Sequence, residues 1–217
     1  MKKGLSELVF VVDRSGSMGG LESDTIGGIN ATLAKNRQVD GEANVSIVLF
    51  DTSSDVIVDR KPLAEVSNLT EKDYQVRGCT ALLDALGDTI KHIKQVQGYM
   101  PDDYKAEKVI FVITTDGLEN ASSRYSYADV KRAIDERTEE GWEFIFLGAN
   151  IDAVGEAGRL GIRADRAATY VADSYGSTVM YDAVADATCC MRQAPAAAPI
   201  GGGWKRAIER DTAKRRR

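Results

Sequence analysis

The segment Asp13-Arg14-Ser15-Gly16-Ser17 places one carboxylate and two hydroxyls at alternate positions, on a stretch that Gly16, Gly19 and Gly20 allow to bend sharply. Oxygen groups aimed at one point suit a hard cation such as Mg2+ better than a soft one. A second carboxylate in a similar setting is Asp116, within Ile113-Thr114-Thr115-Asp116-Gly117. Both aspartates follow an apolar run, and in an open α/β sheet ligands bind beyond the carboxyl ends of the strands. If the two strands are neighbours, Asp13 and Asp116 lie side by side, and two carboxylates so placed repel unless a positive charge stands between them. Thr80, in Gly78-Cys79-Thr80, offers another hydroxyl at the start of a helical pattern. The candidate metal site is therefore Asp13, Ser15, Ser17, Thr80 and Asp116, taking Mg2+, with Mn2+ or Ca2+ as alternatives.

These residues need a scaffold, and the apolar pattern supplies one. Leu8–Val12, Val45–Phe50, Val109–Ile113, Glu143–Leu147 and, more weakly, Ala168–Val171 are apolar on both faces, as buried parallel strands must be. Between them Ile26, Ile29 and Leu33 recur with helical period, as do Leu82, Leu86, Ile90 and Ile93, and then Val130, Ala133 and Ile134 ahead of Gly141. Strand and helix in alternation predict an α/β fold with a doubly wound, mostly parallel sheet and helices on both faces. Val56 and Val58, after Asp51-Thr52-Ser53-Ser54, predict a hairpin whose second arm is one antiparallel edge strand. A last helix is expected over Gly176–Arg192.

The 217 residues include 28 Lys/Arg and 33 Asp/Glu, for a net charge of -5. Residues 204–217 hold seven of those cations against Glu209 and Asp211, or 7 - 2 = +5, which leaves -5 - 5 = -10 on residues 1–203. The reading is a domain over 5–192, a Pro/Ala/Gly linker over 193–203 and a basic C-terminal tail over 204–217. An acidic body argues against nucleic acid as a partner except through that tail. Leu8–Val12 is too short for the apolar centre of a signal or for a membrane span. Adjacent Cys189 and Cys190, with Cys79, do not make a disulfide framework, so a cytoplasmic setting is expected.

Asp13-x-Ser15-x-Ser17, a Thr in a Gly-x-Thr turn and Thr-Asp-Gly after a buried strand resemble the metal ion-dependent adhesion site (MIDAS) of the von Willebrand factor type A domain family. The resemblance covers roughly residues 5 to 192, and the chain also looks similar to small single-domain members from bacteria and their phages. It implies a Rossmann-like fold in which Ser15, Ser17 and Thr80 touch the metal directly, Asp13 and Asp116 act largely through water, and a partner's Asp or Glu completes the shell. It also implies a protein–protein interaction module and not an enzyme.

The rival is a Mg2+-dependent phosphoryl-transfer enzyme of similar sheet, which needs an acid two residues beyond its nucleophilic Asp; Ser15 stands there. No phosphate-binding glycine pattern is present. Among other polar residues, Asp51 reads as a hairpin turn, Asp84 and Asp88 as a solvated helix face, Glu119 as surface loop, His92 as surface and Cys79 as packing. Arg124-Tyr125-Ser126-Tyr127 reads equally as recognition rim and as ordinary loop.

Overall fold

Strand β1 (Lys2–Asp13) buries side chains on both faces: Leu8, Phe10 and Val12 on one, Val9 and Val11 on the other. Such a strand belongs at the centre of a covered sheet. In the computed structural model, which describes residues 1–195 and 201–215, it lies between β2 (Glu42–Phe50) and β4 (Ala106–Thr115). The other strands are β3 (Ser54–Pro62), β5 (Glu143–Ala149) and β6 (Ala167–Tyr170), and the order is β3-β2-β1-β4-β5-β6. All neighbours pair in parallel except β2 and β3, the expected hairpin.

Helices α1 (Glu22–Asn36) and α5 (Ser174–Gln193) cover one face, joined by α6 (Arg206–Arg215). Helices α2 (Leu82–Tyr99), α3 (Tyr127–Glu139) and α4 (Ala153–Arg159) cover the other. Each fully buried aliphatic or aromatic side chain in these two layers stabilises the fold by about 1.5–3 kcal/mol before entropy is counted. α1 and α5 approach closely because Gly28 has no side chain: a Cβ there would stand 2.0 Å from the Tyr181 ring. The loop of residues 116–126 between β4 and α3 ends in a capping box, Ser126 with Asp129.

The C-terminal segment differs from the expected free tail. In its described part it is a helix packed on the body: Ile208 is buried, Trp204 Nε1 donates to Asp165 O at 3.0 Å and Thr212 Oγ1 to Thr169 O at 2.9 Å. Its charge hides two apolar anchors, Trp204 and Ile208, too few to give a visible period. Residues 196–200 of the expected linker lie outside the described residues. Helix α4 was also not expected, since Gly155 and Gly158 dilute its helical pattern. No helix among the described residues is long and apolar enough to cross a membrane.

Candidate metal centre

β1 and β4 run parallel up to Val12 beside Thr114, so the chain leaves both strands at the same end of the sheet and Asp13 and Asp116 emerge as neighbours. The turn after β1 is folded by its own aspartate: Asp13 Oδ1 accepts the Ser15 N–H at 2.7 Å. The other oxygen, Oδ2, accepts from Thr115 Oγ1 at 2.6 Å, tying the turn to β4. Ser15 Oγ and Ser17 Oγ lie 3.1 Å apart, and Ser17 Oγ donates to Asp116 Oδ1 at 2.5 Å. Thr80 faces the same space: its Oγ1 and Ser17 Oγ stand 3.7 and 3.8 Å from the point that a Cβ on Gly117 would occupy. The five predicted oxygen-bearing residues thus converge on one cleft. Ser17 is exposed while Asp13, Ser15, Thr80 and Asp116 are buried, so the cluster opens to solvent at Ser17.

Burial pushes the Asp13 carboxyl above its ordinary range; hydrogen bonds from Thr115 and Ser15 oppose this and the charge of Asp116 adds to it. Burial raises Asp116 too, against the hydrogen bond from Ser17. Neither carboxylate has an ion pair among the described residues. Arg14, next to Asp13 in the motif, turns its guanidinium away: Nε donates to Asp51 Oδ2 at 2.7 Å and the far end pairs with Asp55. Two buried, uncompensated carboxylates with three hydroxyls form an oxygen-only set with an unmet demand for positive charge, which fits a hard divalent cation. No three His, Cys, Asp or Glu converge among the described residues, so the hydroxyls are indispensable to such a set.

Several residues that hold the cleft were not identified from sequence. Tyr74 Oη donates to Asp13 O at 2.5 Å from below. Gly78 has φ +69°, a left-handed conformation, and a Cβ there would meet Thr52 Oγ1 at 2.7 Å. That loop is laced to the turn after β1 by Arg77 N–H to Arg14 O (2.9 Å) and Gly16 N–H to Gly78 O (3.1 Å). Asp51 accepts from Ser53 N–H as a turn residue should, and also holds Arg14 and Arg77. Asn120 engages the backbone of Thr80.

Two readings are corrected, those of Asp84 and Cys79, and a third gains a contact. Asp84 is buried, not solvated, because the loop after β4 folds over it and offers the N–H groups of Ser123, Arg124 and Tyr125 at 3.0, 2.9 and 3.0 Å. Burial raises its pKa, but those three N–H donors and Arg124 outweigh burial and bring it below the ordinary range. Glu119 lies on the loop as expected, yet its carboxylate takes the Leu83 N–H at the start of α2 and the Ala121 and Ser122 N–H groups. Cys79 is exposed rather than packed.

The architecture has many solved counterparts. The proximal thread matrix protein 1 of the mussel byssus, in a structure with a zinc-occupied MIDAS motif, superposes with TM-score 0.60 at 15% identity, covering 86% of this chain and 46% of that one. The pilus adhesin SpaC of Lactobacillus rhamnosus GG gives 0.63 at 13% identity, covering 87% and 30%. A von Willebrand factor type A protein from Catenulispora acidiphila gives 0.56 at 15%, covering 85% and 42%. The chain spans less than half the length of these structures, and at such identities they speak for the fold alone. Comparison with curated proteins gives no match. The family model of the von Willebrand factor type A domain matches residues 8–119, which include every residue of the cleft. With that match and this fold, the chain belongs to the von Willebrand factor type A domain family.

Proposed function

We propose that this domain is a metal-dependent protein-interaction module: Asp13, Ser15, Ser17, Thr80 and Asp116 hold one Mg2+, or Mn2+ or Ca2+ in its place, and a partner protein's Asp or Glu carboxylate binds through it. The observation that carries the reading is the pair Asp13 and Asp116, buried side by side with no cationic partner among the described residues. When bound, the cation supplies positive charge that a carboxylate can approach from the exposed Ser17 side. The chain's own part is positional. Thr115 and the Ser15 N–H fix both oxygens of Asp13, Ser17 holds Asp116, and Asn120 fixes Thr80. The MIDAS motif of the mussel protein supports the choice of a divalent cation.

Binding and not catalysis is the use of the site, because Ser15 occupies the place where a phosphoryl-transfer enzyme of this sheet type needs an acid. Free Cys79, Cys189 and Cys190 suit a reducing, cytoplasmic compartment.

Calorimetric titration with Mn2+ and Mg2+ tests the reading. The wild type should bind a single ion, and Asp13→Ala and Ser17→Ala should each weaken it at least about tenfold while retaining the native circular dichroism. Unchanged affinity in both variants overturns the site. Mg2+-dependent hydrolysis of a generic phosphate ester, lost in Asp13→Asn, would favour the enzyme instead.

A further inference from the structure

Helix α6 has a defined direction. Lys205 Nζ donates to Ala164 O and Ala167 O, where β6 begins, and Thr212 Oγ1 donates to Thr169 O, near where β6 ends. Arg215 pairs with Asp173, beyond the end of β6, and its guanidinium stands 5.1 Å over the Tyr175 ring. Because β6 is parallel to β5, β4 and β1, the C-terminal end of α6 lies at the same end of the sheet as the metal cleft.

The docked face of the helix uses Ile208 and Thr212, with Lys205 and Arg215 spent on the body. Arg206, Arg210 and Lys214 recur every fourth residue, so they form one stripe about 12 Å long, pointing toward the metal end. All three are exposed and make no ion pair among the described residues.

From this placement we infer that the partner is a polypeptide segment with two acidic features, one carboxylate for the cation and an acidic cluster for the Arg206–Arg210–Lys214 stripe. The inference rests on the metal-site reading for the first feature and on α6 alone for the second. The gap follows from the sheet. From β4 to β6 is two strand spacings of about 4.8 Å, and a helix layer adds about 10 Å, on the order of 20 Å in all. An extended chain covers that in about six residues. A nucleic acid fits worse: three cations neutralise few phosphates, and a long polyanion would lie across a body carrying the -10 of residues 1–203. A short acidic segment avoids that surface and meets positive charge at both ends.

The test uses the full chain and a fluorescein-labelled peptide with one Asp, a Ser/Gly spacer of about six residues and a run of Glu, followed by fluorescence anisotropy in Mg2+ at low salt. Replacing the Glu run by Gln, or the stripe by Arg206→Gln/Arg210→Gln/Lys214→Gln, should each weaken binding on the order of tenfold. Both changes together should weaken it little further, because they remove the same interaction. The gap between wild type and variant should close at high salt. Exposed positions leave the fold intact, which an unchanged melting temperature of the triple variant verifies. Equal binding by wild type and triple variant overturns the inference while a chelator effect still upholds the metal site. Binding indifferent to chelator overturns the metal site, and with it the bridging segment. An oligothymidylate of equal length that binds more tightly than the peptide, and is lost in the triple variant, overturns the inference in favour of a nucleic-acid surface.

Discussion

Thr80 and Asn120 hold each other through two backbone-anchored hydrogen bonds: the Thr80 N–H donates to Asn120 Oδ1 at 2.9 Å, and the Asn120 N–H donates to Thr80 O at 3.0 Å. The start of α2 is thereby fixed to the loop that follows Asp116, and the Thr80 hydroxyl keeps its place across the cleft from Ser17. Replacing a residue that orients a ligand costs roughly 10–100-fold in metal affinity. Asn120→Ala should therefore weaken Mg2+ binding about tenfold in calorimetry. Asn120→Asp keeps an acceptor for the Thr80 N–H and should recover most of the loss; equal loss in both variants would show that Thr80 is held by other means.

Asp116 is charged, buried and without a cationic partner, so the metal-free fold carries it at a cost. Asp116→Asn should raise the melting temperature without metal by about 2–4 °C, the shift expected of roughly 1 kcal/mol in a domain of this size. The same change should abolish the further rise that Mg2+ gives the wild type. Thermal melts with Mg2+ and with chelator separate the two effects.

Asp84 gathers three N–H groups, and its pKa is lowered on folding. A carboxyl that is more acidic folded than unfolded contributes stability above its unfolded value, near 3.8. That contribution is lost as pH falls through the lower, folded value. Asp84→Asn should thus cost about 1–3 kcal/mol at pH 7 in urea titrations, and the difference from wild type should shrink below pH 4. A difference that does not change with pH would assign the loss to shape rather than charge.

Ile208 anchors α6 in the layer formed by α1 and α5. Ile208→Ala should destabilise by about 2–5 kcal/mol, the usual cost of such a truncation in a core. Mg2+ affinity should stay within about twofold of wild type, since α6 contributes no residue to the cleft. A large loss of metal affinity would mean that the helix supports the site through α5.

The strands were legible because each is an apolar run bounded by polar turns, and Asp13, Ser15 and Ser17 because they sit together in the chain. Asp116 and Thr80 followed once β1 and β4 were set side by side. What escaped notice is held by partners far apart in sequence. Asp84 has a polar residue's ordinary place on a helix, and only the loop of Ser123–Tyr125 folding over it makes it buried. Asn120 carries no local signal, since its partner lies forty positions away. The apolar part of the docking of α6 comes down to Trp204 and Ile208, within a segment whose charge speaks for solvent.

The two borders of the sheet carry a last consequence. Along β6, Lys205, just ahead of α6, and Thr212 on it occupy the carbonyls of Ala167 and Thr169. Along β3, Arg60 takes φ +45°, pairing with β2 slips register on either side of Ile47, and Pro62 closes the strand. An unpaired, regular strand is what invites a second chain to join a sheet, and neither margin offers one. Such a molecule is poorly suited to strand exchange or to growth into fibres, and its associations fall to the loops at the strand ends and to the outer face of α6.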